Sequence, residues 1–421
     1  MFKGFVTVGF FLSLFGFMPC IVLAQSDSIT HNLDYYTDAA VKNSPLLKDY
    51  GNQILASRLD SLTIKAQNRP QVNGNVSALY EPNYGNFGYD QPITNGGNYA
   101  AQIAATQNIL NSKILKPQYR QVNIQGQTIA NTSKLSEHDL RHNVVSQYLS
   151  VWSDKSQLSN ALQVRKLLDE EENVLKPLVE QGILKQSSYL AFHLERESDE
   201  LNLKQLRMQF AIDLMTLNIL CGINDTVTAV KLQEPSLKRT DIQYNYFKSN
   251  YFQQYYIDSL QITNQKELTD VRYKPHFAWN ADAGFLSSTP LFYMHPGFSL
   301  GLSLVVPIFD GKQRDIDYQR FGIQERTRLD YVFYNHNQYD KQFAMLSNQL
   351  VAVEELTRNL KTQLGLSDQL IGMNKSELNR GDISITDFIM NLRSDIDIRS
   401  SLSQNQVKEW QIINDLNYYN W

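Results

Sequence analysis

The chain has 421 residues, a formal charge of −4 and only two cysteines. So even a balance of charge, with no basic block, excludes nucleic acid as a partner, and two cysteines exclude a disulfide-stapled scaffold. The length by itself suits two or three domains.

At the N-terminus Lys3 precedes an apolar run from Gly4 to Met18, and Val22-Leu23-Ala24 has the character of a signal-peptidase site. Residues 1–24 therefore read as an export signal peptide, with the mature chain beginning at Gln25. Lipidation of Cys20 is the alternative, and Pro19 stands against it where a small residue is expected. Loss of the leader removes Lys3 and Cys20, leaving 38 basic against 43 acidic residues and one thiol, Cys221. Stability must then come from packing or assembly. No later segment is long and apolar enough for a membrane helix; the longest, from Ala211 to Ile223, is too short and contains Asp213. A membrane crossing would have to be made by strands.

Along the mature chain, Leu55, Leu59, Leu62 and Ala66 recur at coiled-coil spacing on an early helix. Two alternating segments follow, at about 71–81 and 98–109, separated by the polar loop EPNYGNFGYDQPITNGG. Between Pro117 and Pro177 there is no proline, and Leu140, Val144, Tyr148, Val151, Leu158 and Leu162 mark an apolar stripe. Sixty helical residues reach roughly 90 Å, too far for a compact domain. After a break near Gly182 a second long helix follows, and then the order repeats. Lys274-Pro275 opens HFAWNADAGF as Arg69-Pro70 opens QVNGNVSALY, an offset of 205 residues. Pro307-Ile308-Phe309-Asp310 matches Asn108-Ile109-Leu110-Asn111, and the segment around Gly381 matches that around Gly182, both at an offset of 199. One unit is used twice, over 25–236 and 237–421, with the second strand pair at about 275–286 and 297–308.

Each strand has a face of aromatic and branched residues and a face of small polar ones. Val72, Val76 and Tyr80 alternate with Asn73, Asn75 and Ser77; Phe298, Leu300, Leu302 and Leu304 alternate with Ser299, Gly301 and Ser303. A soluble sheet with one wet face gives the same alternation. Two facts favour lipid instead: four strands cannot close a barrel in one chain, and no short amphipathic helices remain to cover the sheet.

The early segment AVKNSPLLKDYGNQILASRLDSLTIKAQNRPQV, the strand end GLSLVVPIFDGKQRD and the two glycine-centred segments at 182 and 381, in this order and at the repeat spacing, resemble the TolC family of outer-membrane channel proteins. The resemblance covers essentially the whole mature chain. It implies a mainly α protein with a membrane β-barrel, in which a homotrimer forms one twelve-stranded barrel joined to a periplasmic α-helical barrel. It also implies partners: a periplasmic adaptor (membrane fusion) protein, an inner-membrane transporter of the RND or ABC type, and outer-membrane lipid. No catalytic residue, cofactor or metal is implied.

Site residues carry over by position. The family's periplasmic constriction has two acidic positions, falling here on Asp387 and Met390, so at most one acidic ring remains. Asp395 and Asp397, further along the helix, read as surface charges. The turns Gln181-Gly182-Ile183 and Arg380-Gly381-Asp382-Ile383 are similar to adaptor-docking tips, while a plain helix cap would need the same glycines. His276, Asn280, Asp282 and Ser303 are expected to face the barrel lumen, with a turn position the alternative for Asp282. No dinucleotide, Walker, zinc-protease or C-x-x-C motif occurs, and His193 and Glu195 read as a solvated helix face. The many Tyr and Phe residues suit girdle and loop positions better than a carbohydrate-binding surface. These features predict a passive outer-membrane exit duct; the competing class, a periplasmic coiled-coil scaffold or adaptor outside the membrane, is disfavoured by the duplicated strand pair.

Overall fold

The computed structural model describes residues 30–82, 96–109, 112–182, 185–224, 231–240, 246–288, 296–380 and 382–420. The leader with Cys20, most of the first inter-strand loop, Ile183 and Gly381 lie outside the described residues. In the first half, the short strand β1 (Thr30–His31), α1 (Leu33–Asn43) and α2 (Pro45–Gln67) lead into β2 (Gln71–Glu81), β3 (Gly96–Ile109), α3 (Ser112–Glu180) and α4 (Gln186–Leu220). In the second, β4 (Lys231–Leu232), a 3-10 turn (Tyr246–Lys248) and α5 (Asn250–Arg272) lead into β5 (His276–Ser287), β6 (Pro296–Val305), α6 (Gln313–Arg380) and α7 (Ile385–Tyr419).

Local chemistry sets the ends of these elements. Asn32, Ser44, Ser249 and Ser384 each accept a backbone N–H of the first turn of α1, α2, α5 and α7, and Pro45 fits the first position of α2, where no N–H is needed. α4 ends where Gly222 takes a φ of 61° and the Ile223 N–H bonds back to Asn218 O at 2.8 Å. β6 stops at Val305, two residues before Pro307, which has no N–H to offer a ladder.

β2, β3, β5 and β6 form one antiparallel sheet in that order, leaving β2 and β6 as its edges. α2, α3, α5 and α6 are neighbours in the same order, because each strand is joined to one of these helices by a short segment of at most seven residues, 306–312. The sheet therefore runs on into a helical layer of the same four walls. α3 and α6, with 69 and 68 residues, extend roughly 100 Å, and α4 and α7 fold back against them. No helix among the described residues is long and apolar enough to cross a membrane.

Three apolar clusters hold the rods together. The middle of α3 packs Val144, Tyr148 and Val151 against Tyr36 of α1 and Leu214 and Leu217 of α4. There the Tyr148 hydroxyl donates to Gln233 O at 2.5 Å, tying the segment after β4 to α3. Leu346 and Leu350 of α6 meet Ile412 and Leu416 of α7, and a third cluster joins the two hairpin ends. Asn264, fully buried on α5, donates to Pro117 O and Gln121 Oε1, both at 3.1 Å, and so clamps α5 to α3.

The coiled-coil seam of α2 departs from expectation. Leu55, Leu59, Leu62 and Ala66 are exposed, Leu59 at 62%. The less exposed face is Ile54, Ser57, Ser61 and Ile64, with the Ser57 hydroxyl 3.3 Å from Val122 O of α3. A small polar residue lets the two backbones approach, and the leucines are left pointing away from the chain.

Between α3 and α4, Asp154 hydrogen-bonds Asp213, which also accepts from Gln209 at 2.9 Å and Gln147 at 3.4 Å. Burial first, then the bond to Asp213 and its charge, push the Asp154 carboxyl up to about 7. Burial acts the other way on Asp213, but the hydrogen bonds from Asp154, Gln209 and Gln147 hold it below its ordinary value. The folded chain thus binds a proton at Asp154 that the unfolded chain has released by about pH 4, so this site weakens the fold as pH rises from about 4 to 7. The contribution of Asp213 is lost only at lower pH. Asp154→Asn keeps a donor toward Asp213 without titrating. Its thermal midpoint should fall less than that of the wild type between about pH 5 and 8, as read by circular dichroism melts.

Candidate functional site

The register of the sheet makes the faces of all four strands coincide. One row of neighbours reads Val72, Ala105, Ala281, Leu300; the next reads Asn73, Ala104, Asp282, Ser299. On the apolar face Val76, Ile103, Phe298, Leu300, Leu302 and Leu304 are all exposed, Phe298 at 88% and Leu302 at 80%. Among the described residues no helix packs across either face. An uncovered apolar surface of this extent marks an interaction surface. The strands, of 10 to 14 residues, also have the length that crosses a bilayer when tilted.

His276, Asn280, Asp282 and Ser303 share the other face with Gln102 and Thr106. Asp282 lies within β5 rather than in a turn, and its carboxylate accepts from Gln102 Nε2 at 3.0 Å and from the Ser299 hydroxyl. A Cβ at Gly301 would come within 2.6 Å of Asn280 Oδ1, so glycine lets that amide lie across β6. His276 sits at the helical end of the sheet with its Nε2 3.2 Å from Arg272 O. At the same end, on the apolar face, Trp279 donates to Gln107 at 3.0 Å and Gln107 to Asn68 O at 2.8 Å, ordering an aromatic residue where the sheet meets the helices.

At the opposite end the two hairpins are joined. Leu175 of α3, Phe192 of α4, Leu378 of α6 and Ile385, Phe388 and Leu392 of α7 form one cluster, with Ile383 packed against it. Gln181, Gly182, Arg380 and Asp382 remain exposed at the tips. Gly182 takes a φ of 73°, and the Gly182 N–H bonds to Val179 O at 2.9 Å. Arg380 pairs with Asp382 at 2.8 Å, a hydrogen bond that raises the guanidinium's pKa. Asp387 and Met390 are exposed on the side of α7 turned away from Phe388 and Leu392. Asp387 also completes a helix cap: its N–H donates to Ser384 Oγ at 3.1 Å, and that hydroxyl donates to Asp387 Oδ2 at 2.6 Å.

Two expectations for this region need correction. Asp395 is not a surface charge: it is 5% exposed, accepting from the Ser367 hydroxyl at 2.7 Å and from Arg399 Nε at 2.8 Å. Its position on α7 turns it toward α6, where an unpaired carboxylate would be costly. Asp397, two residues on, is exposed. His193 and Glu195 likewise join helices: His193 Nδ1 lies 3.0 Å from Glu172 of α3, and Glu195 pairs with Arg393 of α7, Nε to Oε1 at 2.9 Å.

The acidic run 169–172 supplies further links that the sequence did not suggest. Asp169 pairs with Arg165 and Arg196, and Glu170 lies 3.2 Å from Lys375 of α6. Glu171, fully buried, is 3.1 Å from the same Lys375, whose pKa is raised chiefly by that contact. Four consecutive acids look alike in sequence; only the helical phase decides which one is buried. Along α4, Leu194, Leu201, Met208 and Met215 repeat every seven residues and all stay exposed, a second unpartnered coiled-coil stripe beside that of α2.

One antiparallel sheet, whose two strand pairs each lead into a long helical hairpin, gives the chain a TolC-like fold. Among solved structures, the chain is similar to the Campylobacter jejuni CmeC outer membrane channel, with a TM-score of 0.73 and 13% identity over 92% of this chain and 85% of that one. It is also similar to the outer membrane protein VceC from Vibrio cholerae, at 0.72 and 11% over 92% and 95% of the two chains. A third is the open state of the Neisseria gonorrhoeae MtrE outer membrane channel, at 0.69 and 12% over 92% and 88%. No family profile matches the sequence, and no curated protein matches it by sequence.

The two faces can be told apart by substitution. Arginine at Leu302, near the middle of the apolar face, should cost roughly 2 to 4 kcal/mol per chain if that face meets lipid, whereas Ser303→Arg on the polar face should be tolerated. The expected outcome is loss of membrane-assembled protein for Leu302→Arg alone, measured by heat-modifiable mobility on gels.

Proposed function

We propose that the chain is the outer-membrane exit duct of a tripartite efflux pump or type I secretion system, a passive channel reaching into the periplasm. The observation that carries this is the sheet: amphipathic, continuous with four helical walls and, among the described residues, uncovered on both faces and open at both edges. In hydrocarbon the unpaired backbone groups of β2 and β6 must find partners. β2 and β6 run in opposite directions, so β6 of one copy can pair with β2 of the next and keep the antiparallel order around a ring. Three copies give twelve strands, with Leu302 and its row toward lipid and His276, Asn280, Asp282 and Ser303 lining the lumen. The exposed stripes of α2 and α4 then become seams between copies, and the repeats 25–236 and 237–421 alternate around the wall.

In this reading the tips Gln181-Gly182-Ile183 and Arg380-Gly381-Asp382-Ile383 receive the hairpins of a periplasmic adaptor, which links the duct to an RND or ABC transporter. Ile383 contributes packing beneath the tip, leaving Arg380 and Asp382 as its polar surface. Asp387 and Met390 border the constriction. The test is direct: the full-length protein should fractionate with outer membranes, migrate as a detergent-stable trimer and form channels in planar bilayers. Recovery of the processed chain as a soluble monomer would overturn the proposal.

The gate has its own test. Asp387→Asn removes charge while an amide oxygen can still accept from Ser384, so the cap survives. Three facing carboxylates attract cations and repel one another. Their loss should reduce cation selectivity and the block by multivalent cations in single-channel recordings. Asp397→Asn, at an exposed position on the same helix, is the control and should change neither.

A further inference from the structure

Among the described residues, six tyrosines gather around one cavity in the middle of the wall. It has a volume of about 570 Å³ and lies between the 3-10 turn, α5, α6 and the end of α7. Girdle positions do not account for these residues. Tyr251 precedes β5 by 25 residues and Tyr339 follows the start of α6 by 26, which places the cavity roughly 35 to 40 Å along the helices from the sheet. Helical phase builds it: Tyr251, Gln254 and Tyr255 lie on one face of α5, and Asn335, Gln338, Tyr339 and Gln342 on one face of α6.

The rings form a continuous edge-to-face series. Tyr251 meets Tyr418 at 5.8 Å between centroids, Tyr418 meets Tyr419 at 5.6 Å, Tyr419 meets Tyr339 at 5.1 Å and Tyr339 meets Tyr246 at 5.5 Å. Edge-to-face packing fixes the rings relative to one another, while one face of Tyr246 is stacked on His336 and one face of Tyr418 on His138. Between them stand amides, and among the described residues no charged side chain lines the space. Asn335 Nδ2 donates to Tyr255 OH at 2.6 Å. Among the described residues, the amides of Gln338 and Gln342 form no hydrogen bond. The Tyr246 hydroxyl has no partner there either, although Tyr246 is only 3% exposed.

We propose that this cavity is a binding site for a neutral saccharide of one or two rings. The volume falls in the range of small-molecule sites. Absent charge disfavours ionic ligands. A purely aromatic or aliphatic guest would strand the Tyr246 hydroxyl and the half-buried Gln342 amide without water, which costs affinity. A sugar answers both sides of the lining: its C–H faces lie on the tyrosine rings, and its hydroxyls reach the amides and the Tyr246 oxygen. Nothing in this inference depends on the channel proposal.

The test uses the full-length protein in an amine-oxide detergent, which has no sugar headgroup to compete. Cellobiose and diacetylchitobiose are titrated by calorimetry and saturation-transfer NMR, with p-cresol as the aromatic comparison. At least one disaccharide should bind saturably, with a Kd of roughly 1 mM or below. Tyr246→Phe deletes only the unpartnered hydroxyl, so it should weaken binding roughly tenfold while leaving the thermal midpoint unchanged or higher; a merely structural hydroxyl would lower the midpoint instead. Gln338→Ala should weaken binding in the same direction. No saturable binding of either disaccharide, binding unchanged in both variants, or tighter binding of p-cresol than of both sugars would each overturn the proposal.

Discussion

Every N–H and C=O in a β-sheet needs a partner, and in this chain the outer rows of Gln71–Glu81 and Pro296–Val305 have none within the sheet. The rest of the architecture follows from how that deficit is met. A soluble protein covers or blunts such edges with helices, prolines or charges. Here, among the described residues, the edges stay open along full-length strands and the faces stay bare. The helices that could have covered them lead away from the sheet instead, each as the continuation of a strand. The order of strands is thereby imposed on the helices, and the faces of the sheet are carried forward as the faces of a wall.

Further from the sheet, the helices are held by a different balance. Apolar clusters lie at intervals along α3 and α6, and the stretches between them are spanned by polar links such as Asn264 to Pro117, Glu195 to Arg393 and Asp395 to Ser367 and Arg399. Such links stabilise little where they are exposed, but they fix the register of long rods that a purely apolar seam would allow to slide. The buried carboxylates Glu171 and Asp395 each sit beside a cation, as burial of charge requires.

Much of this was legible in the sequence, for a physical reason: strands and long helices have different periods, and both are written in the side chains. Phe298, Leu300, Leu302 and Leu304 alternate with Ser299, Gly301 and Ser303 because the two faces of β6 meet different surroundings. Most of the length of α3 was legible from the absence of proline between Pro117 and Pro177, although the helix runs past both, from Ser112 to Glu180. What the sequence could not supply was phase between elements. Leu55, Leu59 and Leu62 look like an internal seam until α2 turns a serine face to α3; Asp395 looks like its neighbour Asp397 until α7 packs on α6. The tyrosine cavity was hidden for the same reason, since its lining comes from segments 76 or more residues apart in the chain. The capping role of Asp387 alone could have been read locally, from Ser384 three residues before it.

The length of α3 has a mechanical consequence. A rod of roughly 100 Å, built into the sheet at one end and packed along its length on α1, α4, α5 and α7, moves with the bundle it belongs to as one lever. A tilt of about 5° at its fixed end sweeps the free end through roughly 9 Å, so deformations at the root too small to break a strand pair become displacements at the tip as wide as a helix. Stiffness along the rod and compliance at its root are set by different residues, and each can be altered without touching the other.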